Sequence, residues 1–269
     1  MNHSKFSVNC SIIFTELPTL ERPAAAAAAG FSAVEFWWPF ELADPPREDV
    51  DAFVDAINQS GVSLAGLNFF AGDMSAGERG ILSSTGREGE FTRNVEHVRH
   101  IAERTGCRVF NALYGVRLAD ETPAAQDATA LRRLSDLAAF TEETASMILI
   151  EPLSAVESYP VKSARDAANV VEALRRSGST TNVKLLLDVY HLAVNGDDVS
   201  ADIARYASII GHVQVADAPG RGEPGTGELP IAAWLDELDG VDYRGLVGLE
   251  YRPSGRSSDS FHWITTTSE

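Results

Sequence analysis

Residues 183–191 read "VKLLLDVYH" and decide the fold. The run "KLLL" does not alternate between polar and apolar positions, which predicts a strand that is covered on both faces. Amphipathic segments at about 163–177 and 198–207 lie on either side of it and predict helices. Strands that are separated by helices pair in parallel, because a hairpin cannot join them. The stretch therefore predicts a parallel sheet with helices packed against it.

The same strand–helix unit recurs along the whole chain. Strands are predicted at 6–10, 33–38, 62–69, 107–115, 146–152, 183–191, 209–217 and 245–251. Helices are predicted at 23–30, 47–60, 87–105, 124–143, 163–177, 198–207, 230–238 and 258–266. Eight units in 269 residues predict a single-domain α/β fold over 1–269, a (β/α)₈ TIM barrel. The alternative is an open doubly wound sheet, but no G-x-G-x-x-G follows the first strand.

Composition narrows the class of protein. The chain has 22 basic and 39 acidic residues, a formal charge of −17, which argues against nucleic acid or an anionic membrane as a partner. No apolar window approaches the ~18 residues of a membrane span, and the N-terminus lacks a signal peptide, so a cytoplasmic protein is expected. Cys10 and Cys107 lie in apolar strands, which favours two free thiols over a disulfide. A homo-oligomer is possible.

Four late strands each end in a side chain that offers oxygen. These residues are Glu151, Asp188, Gln214 and Glu250. In a barrel of this type the carboxyl ends of the strands meet at one face, so the four side chains converge. Three carboxylates brought together repel each other unless a cation lies among them. An all-oxygen set predicts Mg²⁺ or Mn²⁺ rather than zinc, although each residue taken singly could be a helix cap or an ion-pair partner.

Several neighbours of these residues can recognise a substrate. His191 follows Asp188 by three residues and is predicted either to bind a substrate oxygen or to support the site. His212 lies two residues before Gln214, so its side chain points to the same side of the strand but one layer deeper, which favours a core residue. Arg221 and Arg252 are cations near strand ends and predict a bound carboxylate or phosphate. The alternative for each arginine is an ion pair with Glu223 or Glu228.

The residues that carry this pattern resemble the hydroxypyruvate isomerase family, within the xylose isomerase-like TIM barrels. The similar stretches are "GFSAVEFWWPF", "AGDMSAGERGI", "IEPL", "LLDVYH", "GHVQVADAPGRGEPGTGEL" and "YRGLVGLEYRP", so the resemblance covers about residues 6–264. It implies a divalent metal on Glu151, Asp188, Gln214 and Glu250. It also implies that Glu151 and Glu250 transfer a proton while hydroxypyruvate and tartronate semialdehyde interconvert through an enediolate.

The resemblance also implies substrate contacts and shows some departures. The contacts expected are His191, Arg221, Glu157, Asn68 and Arg252. "NFFAGDM" at 68–74 stands where members often read "NLPAGDW", so Phe70 and Met74 alter the cover of the site. Arg252 and Gly222 replace a lysine and a histidine that many members have. These departures leave the metal ligands intact and put the exact substrate in question.

Three other functions remain open at this point. A ketose 3-epimerase or another small-sugar isomerase needs the same metal and the same two bases, and Glu157 matches a substrate contact of epimerases. A barrel nuclease with three zinc ions needs many histidines, whereas this chain has six and a charge unfavourable for DNA. A binding barrel without activity is disfavoured by the complete set of ligands. The loop "APGRGEPGTGE" is expected to be a rigid wall of the site, because its glycines and prolines restrict the backbone.

Overall fold

A computed structural model describes residues 3–266 and confirms the predicted barrel. Eight parallel strands close on themselves in chain order, with β1 paired to β8. The strands are β1 Phe6–Asn9, β2 Ala33–Phe36, β3 Ser63–Asn68, β4 Val109–Asn111, β5 Met147–Ile150, β6 Val183–Asp188, β7 Ile210–Val215 and β8 Val247–Leu249. The strands of the barrel are buried over most of their length, which explains the continuous apolar runs in the sequence.

Helices follow the strands and pack around the barrel. They are α1 Arg22–Ala28, α2 Arg47–Ser60, α3 Glu88–Thr105, α4 Pro123–Asp136, α5 Ala138–Glu143, α6 Ala164–Arg176, α7 Val189–Asn195, α8 Val199–Tyr206, α9 Ile231–Gly240 and α10 His262–Thr266. The Ser163 side chain and Asp166 form a capping box at the start of α6. Gly61 and Gly106 end α2 and α3 in the left-handed conformation, in which glycine is favoured.

The structure corrects the bounds of several predicted elements, including the last helix, which spans His262–Thr266 instead of 258–266, and three further differences have a clear cause. The segment 189–191 is the first turn of α7 rather than the end of a strand, because the Asp188 carboxylate accepts the Tyr190 and His191 N–H groups and caps the helix. The helix predicted at 124–143 is divided at Leu137, whose N–H turns back to Leu134. The fourth strand has three residues instead of nine, because the chain beyond 112 bonds to neighbouring loops.

Strand register brings the late strand ends to one level. Asp188 at the end of β6 lies beside Gln214 on β7, and Gln214 lies beside Gly248 on β8. Glu151 and Glu250 come directly after β5 and β8. The four side chains that the sequence assigned to a metal therefore belong to four adjacent strands at the carboxyl end of the barrel.

Two further expectations concern cysteines and membranes. Cys10 and Cys107 are both buried and free, so no disulfide joins them. Burial raises the pKa of the Cys107 thiol to about 12, which keeps it protonated. Among the described residues, no helix has the length and apolar character that crossing a membrane requires.

Candidate active site

Three buried carboxylates meet at the mouth of the barrel. Glu151 and Glu250 are each held through one oxygen by an asparagine from another strand. Asn111 donates to Glu151 Oε2 at 2.6 Å, and Asn9 donates to Glu250 Oε2 at 2.7 Å. Because Asn9 and Asn111 end β1 and β4, the barrel itself sets the orientation of both carboxylates. The Oε1 atoms are left for other partners.

Asp188 and Gln214 each keep one buried oxygen without a hydrogen-bond partner. Asp188 Oδ1 caps α7, whereas Oδ2 has no hydrogen-bond partner within residues 3–266. Gln214 donates from Nε2 to Glu35 at 2.9 Å, and its Oε1 is likewise unpaired over the described chain. A buried polar atom without a partner is costly, so the two oxygens indicate a group that is bound there.

Arg221 is the positive charge that faces the carboxylates. Its guanidinium forms an ion pair with Glu250, and Nη2 lies 3.6 Å from Asp188 Oδ2. The group also stacks 5.3 Å from the centre of the Tyr190 ring. The alternative of an ion pair between Arg221 and Glu223 is wrong, because Glu223 instead accepts hydrogen bonds from Ser254.

One arginine does not balance three buried carboxylates. Burial and the charges of Glu250 and Asp188 raise the pKa of Glu151 well above its usual value. Burial raises the pKa of Glu250 to about 7, although Arg221 acts in the opposite direction. The surplus negative charge, the unpaired oxygens and the all-oxygen donor set fit a hard divalent cation.

His191 lies between two of these carboxylates in its neutral form. Burial lowers the pKa of His191 to about 4. The backbone N–H of Ser154 donates to Nδ1 at 3.0 Å, and because that N–H can only donate, the ring proton is on Nε2. Nε2 lies 3.8 Å from Asp188 Oδ2 and 3.9 Å from Glu151 Oε1. Glu151, Asp188 and His191 are close enough to hold a metal ion together, but this tautomer makes His191 a hydrogen-bond donor.

A cavity of about 500 Å³ opens above these groups. Predicted site residues that line it are Asn68, Glu151, His191, Arg221, Glu250 and Arg252. Glu157 is exposed on the loop after β5 and is not among the lining residues of the described chain. Asp188 and Gln214 are buried beneath the opening, at 1% and 3% exposure. The structure thus brings together every predicted site residue except Glu157.

The sequence reasoning missed Glu35, which lies inside the barrel below the carboxylates. Its oxygens accept hydrogen bonds from Ser7, from His212 at 2.8 Å and from Gln214 at 2.9 Å. The bond to Gln214 turns the amide so that Oε1 is free. A signal was present, because "AVEFWW" contains a carboxylate within a buried strand, and such a charge requires a partner. His212 is therefore a core residue, as favoured from its position.

Asp217 is a second missed residue, and it organises the glycine-rich loop. Its buried carboxylate accepts four backbone N–H groups, from 218, 225, 227 and 229, at 2.8–3.0 Å. Gly227 has no room for a side chain, because a Cβ atom would lie 2.3 Å from the Ala218 carbonyl oxygen. Arg221 has a φ of 58°, a conformation held by the surrounding bonds. These bonds support the prediction of a rigid wall that presents Arg221.

Comparison with known proteins agrees with this geometry. The xylose isomerase-like TIM barrel family matches residues 23–267. A putative hydroxypyruvate isomerase of Streptomyces coelicolor is 47% identical over 97% of this chain and 95% of its own. The hydroxypyruvate isomerase of Escherichia coli is 30% identical over 97% of this chain and 98% of its own. A 2-oxo-tetronate isomerase of Cupriavidus necator is 32% identical over 97% of both.

Solved structures show the same fold. A Brucella melitensis protein described as a family 2 AP endonuclease superposes with a TM-score of 0.87, at 32% identity and over 98% of both chains. An Escherichia coli 3-keto-D-glucoside 4-epimerase superposes with a TM-score of 0.77 over 98% of this chain and 99% of its own. At 19% identity, the second similarity concerns the fold alone.

Proposed function

Because the chain belongs to the hydroxypyruvate isomerase family of xylose isomerase-like TIM barrels and is an isomerase, we propose that it interconverts hydroxypyruvate and tartronate semialdehyde. The observation that carries the proposal is the pair Glu151 and Glu250, two buried carboxylates that line one cavity. An asparagine holds one oxygen of each; the second oxygen of Glu151 lies 3.9 Å from His191 Nε2, and that of Glu250 pairs with Arg221. Two bases in one cavity suit a reaction that removes a proton from one carbon and returns one to its neighbour.

The divalent metal in this proposal is Mg²⁺ or Mn²⁺. Its ligands would be Glu151, Asp188, Gln214 and Glu250, as expected from the sequence. When bound, it would act as a Lewis acid toward the substrate carbonyl and its neighbouring hydroxyl. The unpaired oxygens of Asp188 and Gln214 support this assignment, and neutral His191 is left out of the ligand set.

The proton transfer is assigned to the two glutamates. One of them takes a proton from C3 of hydroxypyruvate, which leaves an enediolate. The other delivers a proton to C2, while the hydroxyl proton at C3 moves to the oxygen at C2 and completes tartronate semialdehyde. The number of protons on the substrate is unchanged, so no oxidant or reductant is required.

His191 and Arg221 orient the substrate in this proposal. The Nε2–H of His191 faces the space between Glu151 and Asp188 and is placed to donate to a substrate oxygen. Neutral His191 stabilises a developing oxyanion by donating a hydrogen bond to it while keeping its own proton. Arg221 is held by Tyr190 and the rigid loop, so it keeps its charge directed at the cavity. Asn68 and Arg252 are further contacts at the wall and rim.

The alternative is a ketose 3-epimerase or another small-sugar isomerase. It requires the same metal and the same two glutamates. Its distinctive support in the sequence was Glu157, which lies outside the cavity. Relatives named 2-oxo-tetronate isomerase also keep a four-carbon acid among the substrates to be tested.

The test is a substrate panel followed by proton NMR in D₂O with Mg²⁺ or Mn²⁺ present. Hydroxypyruvate, a four-carbon 2-oxo acid, fructose and allulose are offered at equal concentration. The expected result is conversion of hydroxypyruvate with deuterium incorporated at one carbon of the product. Epimerisation of a ketose with hydroxypyruvate left unchanged would overturn the proposal. A reaction with the four-carbon acid alone would keep the isomerase chemistry and change the substrate.

A further inference from the structure

Arg79 is a second cation in the active-site cavity, and nothing in the sequence pattern assigned it a role. It lines the cavity together with Glu151, His191 and Arg221. We propose that Arg79 binds the carboxylate of the substrate and thereby sets a preference for 2-oxo acids over neutral ketoses. This inference rests on the proposed function and names the residue that recognises its substrate class.

The guanidinium of Arg79 has one side occupied and one side open. Its Nη1 donates to the carbonyl oxygens of Met74 at 2.9 Å and Glu78 at 2.5 Å, which uses both hydrogens of that nitrogen. Within residues 3–266 neither Nε nor Nη2 has a hydrogen-bond partner, and no carboxylate forms an ion pair with this arginine. The open Nε–Nη2 edge is the fork that binds a carboxylate through two parallel hydrogen bonds.

The loop that carries Arg79 is held in place on both sides. The Arg79 carbonyl accepts the Gly115 N–H at 3.0 Å. Gly80 has a φ of +98° and lies so close to Leu113 that a Cβ atom would sit 1.9 Å from its carbonyl oxygen. Arg133, buried under the loop, donates to the Leu82 carbonyl oxygen at 3.2 Å. These contacts fix the backbone of Arg79, so its side chain is positioned before any ligand arrives.

Charge explains why an acid substrate needs this residue. The three carboxylates Glu151, Asp188 and Glu250 balance the charge of the proposed divalent cation and of Arg221, so no positive charge is left over for a substrate anion. Arg221 pairs with Glu250 through Nη2, which also lies 3.6 Å from Asp188 Oδ2, so its charge is already shared by two carboxylates of the site. Arg252 also lines the cavity, but its side chain is exposed and therefore screened by water. Arg79 is half-buried, which makes it the better partner for an anionic group; a neutral ketose has no such requirement.

The test compares Arg79→Gln with wild type on two three-carbon substrates. Hydroxypyruvate carries a carboxylate where dihydroxyacetone carries a CH₂OH group, and the isomerisation of either would be the same ketose-to-aldose proton transfer. The expected result is a fall of about 10- to 100-fold in kcat/KM for hydroxypyruvate, the size of a lost pair of charged hydrogen bonds. The rate with dihydroxyacetone is expected to change less than about threefold. If that rate is too slow to follow, Ki of dihydroxyacetone as a competitive inhibitor supplies the same comparison.

Two variants make the result specific. Arg79→Lys keeps the charge without the fork and is expected to recover part of the loss in kcat/KM. Arg244→Gln removes the same charge from an exposed ion pair with Asp242 and is expected to match wild type on both substrates. Equal losses on both substrates, or no loss on either, would overturn the inference and leave the proposed function standing. A wild-type enzyme that leaves hydroxypyruvate unchanged would overturn the proposed function itself.

Discussion

Buried carboxylates lie at two levels of this barrel: an inner set, Glu35 with its hydrogen-bond donors, and an outer set, Glu151, Asp188 and Glu250 at the mouth. The two sets differ in how fully the carboxylates are paired. Glu35, inside the barrel, accepts hydrogen bonds on both oxygens from Ser7, His212 and Gln214. Burial alone would raise the pKa of Glu35, but the charge and hydrogen bond of His212, with the other donors, hold it below its usual value. The inner set is a complete structural unit.

The carboxylates at the mouth are equally buried but incompletely paired. Glu151, Asp188 and Glu250 share one arginine, and burial raises the pKa of both Glu151 and Glu250. Both sets cost the same kind of desolvation energy, so the difference lies in what completes them. Protein groups complete the inner set, whereas in the proposed function a bound ligand completes the outer one. Incomplete pairing within a cavity, rather than burial, therefore marks the active site.

The largest expected effect comes from Glu151→Gln. This change removes one of the two bases, so kcat for hydroxypyruvate is expected to fall by about 10³-fold or more. Without metal, the variant is expected to have a free energy of unfolding about 1 kcal/mol higher than wild type at pH 8, because a neutral amide replaces a carboxylate that its neighbours repel. Steady-state kinetics and urea unfolding give the two values. If the variant lost both activity and stability, the outer carboxylates would not be the incompletely paired groups that this comparison takes them to be.

The same substitution in the inner set is expected to act in the opposite direction. Glu35→Gln removes the charged partner that raises the pKa of the His212 ring, and it is expected to lower the free energy of unfolding by about 3 kcal/mol. Urea unfolding of the metal-free protein measures the free energy of unfolding of Glu35→Gln, and Glu151→Gln, the same substitution in the outer set, is measured for comparison. The double variant Glu35→Gln/His212→Gln should recover part of the loss, since neither partner is then left charged. Unchanged stability of the single variant would remove the distinction between the two sets.

Metal binding tests whether a cation completes the outer set. At a free Mn²⁺ concentration about 100 times Kd, wild type is expected to gain about 2.7 kcal/mol of stability, which raises Tm by roughly 5 °C or more. Asp188→Asn is expected to need a higher Mn²⁺ concentration for the same gain, because one anionic ligand becomes neutral. Differential scanning calorimetry with and without a chelator gives both results. A wild-type Tm that does not respond to Mg²⁺ or Mn²⁺ would show that the proposed site does not bind them.

The outer set could be predicted from sequence because its members stand at strand ends. Each follows an apolar run, and one barrel geometry brings all such ends together. The inner pair could not be assigned in the same way, since Glu35 and His212 are 177 residues apart and only the closed barrel joins them. Arg79 was missed because the loop after β3 has no periodicity from which its path can be derived. The helix after Asp188 was missed because it has only seven residues and because the metal was preferred over the helix cap that was the alternative for Asp188.

The smallest expected effect tests whether a raised pKa by itself identifies a site. Burial and the charges of Asp197 and Asp198 raise the pKa of Asp202 to about 6, on the outer helix α8. The folded protein therefore binds a proton here more tightly than the unfolded chain, so this group lowers stability as pH rises from about 4 to 6. Above pH 6 the penalty is fully present.

Asp202→Asn is expected to remove that penalty. Because the side chain is partly exposed and screened, the gain at pH 8 should be below about 1 kcal/mol, and it should vanish near pH 4. Activity should match wild type, since Asp202 is not among the residues that line the cavity. Urea unfolding at pH 4, 6 and 8 measures the effect. If kcat/KM fell with this variant, incomplete pairing at the barrel mouth would no longer be the feature that separates the active site from other strained carboxylates.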